Sequence, residues 1–230
     1  GAFSVSPSGR LLAYSTDTDG SEEFRLRVKD LTTGELLSDE IAPVGYGAVW
    51  SADEEYLFYT TLDAAHRPWK LWRHRIGTAA EEDVCLYTEE DEAFFLGVGR
   101  TRSREWLVMG LSATESSEVR VLRADDPTGE WRLIAERRPG VEYGIEHHGD
   151  RFLIVTNDTG PDFRVAQAPV ENPGPENWTD LVPHRPGVRI VDIDAFKDHF
   201  VLSLRSEGRT ELDLIDAATH KRTRLQFDEP

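Results

Sequence analysis

The sequence predicts an all-β protein, a β-propeller built from five four-stranded antiparallel blades. Three observations carry that prediction. A strand-turn-strand pattern recurs at near-constant spacing. The strands alternate between apolar and polar residues. Prolines and glycines cluster between the strands rather than inside them.

The recurring pattern is a short apolar strand, a tight polar turn and a second apolar strand. Its copies are "FSVSPSGRLLAYS", "GAVWSADEEYLFYT", "FLGVGRTRSREWLVMG", "YGIEHHGDRFLIVT" and "VDIDAFKDHFVLSL". The first large residues after each turn are Leu11, Tyr56, Trp106, Phe152 and Phe200, 45 to 50 residues apart. That is the length of a four-stranded propeller blade. Each copy continues alike. A polar loop leads to a third strand: "FRLRVKDL", "KLWRHRIG", "VRVLRAD", "FRVAQAPV" and "ELDLIDA". A fourth, more polar strand closes each unit: "ELLSDEI", "DVCLYTE", "WRLIAER", "WTDLVPH" and "KRTRLQF". The blades run approximately over 1–43, 44–91, 92–138, 139–185 and 186–230, a single propeller fragment over 1–230.

Alternation is sharpest in the third strand of the first unit. Phe24, Leu26 and Val28 fall on one face, and Arg25, Arg27 and Lys29 on the other, which is the period of a half-buried strand. A helix would place apolar residues three and four apart, and no stretch of ten residues does so. The prolines lie mostly in linking segments, as strand chemistry requires. The longest such segment, "APVENPGPENW", is expected at the rim of the fourth blade. The first two strands of each unit are the most apolar, so they are expected nearest the centre with both faces covered. The charged fourth strand is expected outermost. A sandwich or a solenoid stays open as an alternative, and the regular spacing favours the propeller.

With 39% hydrophobic and 30% charged residues, the composition is that of a folded domain rather than a disordered chain. The formal charge of −17 argues against nucleic acid and anionic membranes as partners, because phosphate binding needs a basic surface. It permits attraction of cationic peptides. No run approaches the roughly 18 apolar residues of a membrane span. No basic region followed by an apolar core opens the chain, so no signal peptide is visible. The chain begins within a strand pattern and ends on "RLQFDEP", as the middle of a longer protein would. One cysteine, Cys85, fits a reducing compartment and a cytoplasmic location. Its place among alternating apolar residues makes a buried structural thiol the expectation.

No catalytic, cofactor-binding or metal-ligating residue is assigned, and no cofactor is expected. The nucleophile elbow G-x-S-x-G is missing, and Ser112 in "GLSAT" lacks its last glycine. Phosphate-cradling, dinucleotide-binding and H-E-x-x-H motifs are missing too. His147 and His148 are adjacent, point to opposite faces in a strand and make poor joint ligands; a turn pair is expected. Asp17, Asp19, Glu22 and Glu23 crowd one loop, and a solvated acidic loop is expected there over a calcium site. Asn157 and Asn177 match N-x-[ST] by chance.

Longer strings are more specific. "FSVSPSGRLLAYSTDTDGSEEFRLRVKDLTTGELL" resembles the opening propeller blade of the prolyl oligopeptidase family. "AVWSADEEYLFYTTLDAAHRPWKLWRHRIGT" resembles its oligopeptidase B branch, also called protease II, above all from Arg67 to Gly77. "SATESSEVRVL", from Ser112 to Leu122, is similar to that branch's third blade. The resemblance covers the whole chain and is strongest in the first two blades. It implies an incomplete seven-bladed propeller and an α/β-hydrolase domain in the same parent chain. That domain would hold a Ser-Asp-His triad, and the parent would be a serine-type oligopeptidase cutting short basic peptides after Lys or Arg. No triad position falls in this chain. The propeller would gate the active site, admitting small or unfolded peptides by exclusion and desolvation.

The second function weighed is an independent propeller serving as a protein-binding module without activity. The parent reading frame separates the two: a G-x-S-x-G downstream marks the first, a stop after Pro230 the second. Five blades in place of seven leave ring closure open. An open arc with two apolar end faces is expected to self-associate through its first or fifth blade, against a closed, strained monomer joining the strand near Phe3 to that near Phe227. The chain alone is expected to hydrolyse no peptide. An Arg-terminated chromogenic peptide checks this, and turnover abolished by a serine-directed inhibitor would overturn it.

Overall fold

Tight turns between short apolar strands can pair only with their immediate neighbours, and the observed topology is that local. The computed structural model describes residues 1–226; Phe227, the last residue of the expected final strand, lies outside them. Five sheets form, each a four-stranded antiparallel meander in which strands adjacent in sequence are adjacent in space. The first holds β1 (Phe3–Val5), β2 (Leu11–Thr16), β3 (Phe24–Asp30) and β4 (Leu36–Val44). The second holds β5 (Ala48–Trp50), β6 (Tyr56–Leu62), β7 (Pro68–Arg75) and β8 (Val84–Thr88). The third holds β9 (Phe95–Arg100), β10 (Trp106–Ser112), β11 (Ser117–Arg123) and β12 (Arg132–Ala135). The fourth holds β13 (Tyr143–His148), β14 (Arg151–Thr156), β15 (Arg164–Pro169) and β16 (Thr179–Val182). The fifth holds β17 (Val188–Ala195), β18 (His199–Ser206), β19 (Arg209–Asp216) and β20 (Arg222–Arg224). These are blades of an incomplete β-propeller. The chain divides into two compact units. One comprises Gly1–Arg100, Arg104–Thr114 and Arg120–Arg132, the other Thr101–Ser103, Glu115–Val119 and Leu133–Pro230.

The turn between the first two strands of a blade repeats a small device. Ser6 Oγ accepts the Leu11 amide at 3.1 Å, and Ser51 Oγ accepts the Tyr56 amide at 3.0 Å. Each turn then needs one left-handed residue: Gly9 (φ 79°), Glu54 (φ 63°) and Arg104 (φ 66°) fill that place in the first three blades. Ser8 Oγ donates to Glu54 Oε2 at 2.9 Å, tying the first turn to the second.

In the first unit the core has two layers. Leu57 and Tyr59 of β6 pack with Leu26 and Val28 of β3, while Phe58, between them, points the other way to Leu96, Leu107 and Met109. So β6 buries consecutive residues on opposite faces, and β3 alternates as its sequence predicts. Trp131 meets Phe58 edge-on at 5.9 Å. In the second unit Leu153, Val155 and Val165 pack against Ile190, Ile193, Phe200, Leu202 and Leu204. Among the marker residues, Trp106, Phe152 and Phe200 are buried and Tyr56 is half-buried.

Three expectations need correction. Cys85 is exposed, because β8 is the edge strand of its sheet and is covered on few sides. β1 is not covered on both faces: Phe3 is 76% and Val5 42% exposed, as only one side of its sheet meets another among the described residues. His147 and His148 are the last residues of β13 rather than a turn, since His148 pairs with Arg151 and Gly149-Asp150 alone makes the hairpin turn. The described prolines lie mostly in linking segments, as expected, and three lie within strands. Pro43 sits where β4 slips register against β3, Pro68 opens β7 and Pro169 ends β15, all places that spare a ladder hydrogen bond. The long fourth-blade link carries a short 3-10 turn, Pro175–Asn177.

One buried polar group joins the first two sheets. His74 of β7 donates from Nε2 to Asp39 of β4 at 2.9 Å, and from Nδ1 to Asp83 at 2.6 Å. Tyr59 Oη donates to the second oxygen of Asp83 at 2.8 Å, and the Gly77 amide donates to Asp39 at 2.5 Å. Both imidazole nitrogens face carboxylates, so the ring is held as an imidazolium. Burial pushes its pKa down, but the bonds to Asp39 and Asp83 outweigh that and raise it above its ordinary value. Burial likewise works against ionisation of Asp39, yet the bonds from His74 and Gly77 leave its pKa lowered.

Two predictions follow from this packing. Leu26→Ala and Phe58→Ala should each cost about 2–5 kcal/mol in denaturant unfolding, since both side chains are fully buried. A cost below about 0.5 kcal/mol at both would show that these faces are not core. His74→Asn should destabilise by about 3–5 kcal/mol, because it strands two buried carboxylates. A raised histidine pKa stabilises the fold fully below its unfolded value near 6.5, and that contribution is lost as pH rises through the folded value. The gap between wild type and variant should therefore be widest just below pH about 6.5 and narrow at higher pH. A pH-independent gap would show that the ring is neutral.

Candidate functional site

The residues weighed from the sequence do not come together. Ser112 ends β10, exposed. Asp17 organises its own loop by accepting the amides of Glu22, Asp19 and Gly20, which hold its carboxyl down to about 2. Asn157 accepts the Glu142 amide and donates to Gly140, and Asn177 donates to Asn172, so both serve local backbone. His147 and His148 meet Phe152 and Phe200 edge-on, from opposite faces of β13.

What the second unit does bring together is a group of carboxylates around Arg102. Glu146 comes from β13, Asp192 and Asp194 from β17, and Arg102 from the turn after β9. Strand β17 slips register between Ile190 and Asp192, a bulge. One extra residue lets Val191 and Asp192 both face outward while Ile190 and Ile193 stay buried. Without that bulge strict alternation would turn one of them into the core.

The Arg102 amide donates to both oxygens of Glu146, at 3.0 and 3.1 Å, and the His147 amide adds a bond of 2.7 Å. The Arg102 guanidinium pairs with Asp194 and lies over the Phe196 ring, 4.7 Å from its centroid. Phe196 stacks on His199 at 4.8 Å. Asp192 accepts its neighbour's amide, Ile193, at 2.8 Å. Burial raises the Glu146 pKa despite its backbone donors and Arg102, and Asp194 adds to the rise. Asp192 is raised by the protein packed around it and by Asp194, although its carboxylate remains reachable from solvent.

Three carboxylates face one guanidinium, so the group is net negative and underneutralised. It holds no nucleophile beside a base. Its chemistry is that of a cation receptor: carboxylates for a cationic head, and exposed Val191 and Phe196 for an aliphatic stem. Sequence reasoning missed all four residues. "VDIDA" read only as a strand, although aspartates two positions apart in an apolar strand share a face, which must then be open to solvent. Among the described residues no group of three or more His, Cys, Asp or Glu side chains is placed to hold a metal, and no helix is long and apolar enough to cross a membrane.

Repeated four-stranded meanders and a recurrent first turn define a propeller module. Comparison with known proteins places it further. The chain belongs to the prolyl oligopeptidase N-terminal β-propeller family, whose model matches residues 1–230. It is 36% identical over 219 residues to dipeptidyl aminopeptidase BI of Pseudoxanthomonas mexicana, covering 94% of this chain and 30% of that protein. It is 31% identical over 221 residues to protease 2 of Moraxella lacunata, covering 95% and 31%. Oligopeptidase B from Trypanosoma brucei, solved in a closed form with covalently bound antipain, superposes with a TM-score of 0.90 at 31% identity, over 99% of this chain and 33% of that one. The chain thus spans about a third of the length of the relatives it matches. The fold and the oligopeptidase B likeness expected from the sequence are both borne out.

Proposed function

We propose that this chain is the substrate-gating propeller of a serine oligopeptidase that cleaves short peptides after Lys or Arg. The observation that carries the basic-peptide preference is the underneutralised group of Glu146, Asp192 and Asp194. Family membership and the likeness to oligopeptidase B support the rest, and that trypanosomal relative holds antipain covalently. The nucleophile, base and orienting acid belong to an α/β-hydrolase domain of the same parent chain. The propeller contributes no bond-making. It excludes folded proteins, keeps water from the reacting groups and concentrates cationic peptides through its field. An exposed, unpaired thiol at Cys85 suits the cytoplasmic location that goes with this function.

Steering by carboxylates has a measurable signature. A short labelled peptide rich in Lys and Arg should bind the chain by fluorescence anisotropy, more weakly as salt rises. Asp192→Asn with Asp194→Asn should weaken it several-fold, and a peptide with Glu in place of the basic residues should not bind. Binding that ignores salt and both substitutions would overturn the role of the cluster. A parent reading frame without G-x-S-x-G would overturn the oligopeptidase assignment itself.

A further inference from the structure

The most deeply buried guanidiniums among the described residues are saturated. Arg67 donates to Asp63 and to the carbonyls of Glu89, Asp91 and Phe94, at 2.8 to 3.3 Å. Arg164 is held by Asp158 at 2.8 Å through two nitrogens and by Asp180 at 2.6 Å. Two less buried ones are not: Arg132, whose Nε is buried without a hydrogen-bond partner but whose guanidinium lies over the Trp106 ring, and Arg100, the last residue of β9. Arg100 Nη1 is buried without a hydrogen-bond partner, and no carboxylate among the described residues pairs with it.

Strand geometry makes that vacancy odd. The period of two places Leu96, Val98 and Arg100 on one face of β9. Leu96 and Val98 pack with Val49, Phe58 and Leu71. Arg100 therefore extends an apolar stripe with a half-buried charge. Its charged neighbour is Arg104, of like sign, in the turn that follows, and burial together with Arg104 lowers the pKa of Arg100. Arg104 is exposed, has no ion-pair partner among the described residues, and holds a left-handed backbone where Gly9 stands in the first blade. A desolvated cation beside a second cation costs stability unless an anion is supplied. The chain has 43 acidic residues against 26 basic ones, yet none of those described pairs with Arg100.

We propose that Arg100 and Arg104 form a receptor for the terminal carboxylate of a short peptide, a proposal that rests on the peptide-handling function above. A carboxylate satisfies a guanidinium with two parallel hydrogen bonds. Polyanions are disfavoured by the long-range field of a chain with net charge −17. The Leu96–Val98 stripe supplies the apolar surroundings that a peptide chain, rather than a free hydrated ion, can use.

The test uses the whole chain with 15N-labelled arginine, following Nε–Hε signals by NMR while acetyl-Ala-Ala-Ala is added as the free acid, as the C-terminal amide, and against inorganic phosphate. The Arg100 and Arg104 signals should shift saturably with the free acid and about tenfold more weakly with the amide. Arg100→Gln should abolish the effect. Arg100→Lys, which keeps charge and stem and so guards against misfolding, should weaken binding without losing it. No saturable shift by about 10 mM free acid would overturn the proposal. Equal shifts with acid and amide, or binding that survives Arg100→Gln, would do the same. Phosphate binding as tightly as the free acid would overturn the assignment to carboxylate. These peptides carry no Lys or Arg, so their outcome is separate from that of the cationic-peptide experiment.

Discussion

A four-stranded sheet has two faces, and an apolar face left in water costs roughly 25 cal/mol for each Å². Face burial organises the rest of this structure. The second sheet solves it on both sides at once, with Leu57 and Tyr59 turned one way and Phe58 the other. That is why β6 reads as a continuous apolar run while β3, with one covered face, alternates strictly with arginines and lysine. Once both faces are committed to packing, the strands have no room for chemistry. The charges gathered around Arg102 and Arg100 accordingly lie at turns, a bulge and strand ends.

Burial also dictates how charge is tolerated inside. Asp39, His74 and Asp83 form a three-member group in which the imidazolium answers two carboxylates, with Tyr59 and Gly77 supplying further donors. Arg67 and Arg164 are closed off in the same way by nearby acceptors. Such groups contribute little net stability compared with well-packed apolar residues, but breaking one partner is costly. They act as registration pins: Asp39 lies in the first sheet and His74 in the second, so only one alignment of the two satisfies both.

The period, the strand order and the core residues Leu26 and Phe58 were legible because they follow from local rules: turn spacing, alternation and meander connectivity. The family likeness was legible in strings such as the one from Arg67 to Gly77, whose arginine proves to be a buried clamp. Failures came where a position in the sheet, rather than the pattern, decides exposure. Cys85 sits in an alternating stretch like a core thiol, but alternation does not say whether a strand is central or at an edge. Phe3 and Val5 are apolar and first in their blade, yet face solvent because burial depends on a neighbouring sheet. The carboxylate cluster escaped notice because its members are spread from Arg102 to Asp194, and only the hairpin ends of separate blades bring them together. The bulge at Val191 has no sequence signature that a simple two-residue period reveals.

The energetics of that cluster separate it from the pins in the core. At His74 and Asp39 the folded environment favours the charged forms. At Glu146 and Asp192 it does the opposite: both carboxyls have raised pKa values. A raised carboxyl pKa means that the folded state holds a proton more tightly than the unfolded one. Stability therefore increases as pH falls through that range, and at neutral pH each ionised group is a cost. A single cation, Arg102, offsets only part of it. Replacing either acid by its amide would relieve that repulsion while keeping the side chain's shape. A chain selected for stability alone has no use for three carboxylates round one guanidinium. Arg100 and Arg104 present the same imbalance with the sign reversed. Each site is incomplete by charges that a peptide carries, a cationic side chain for one and a terminal carboxylate for the other.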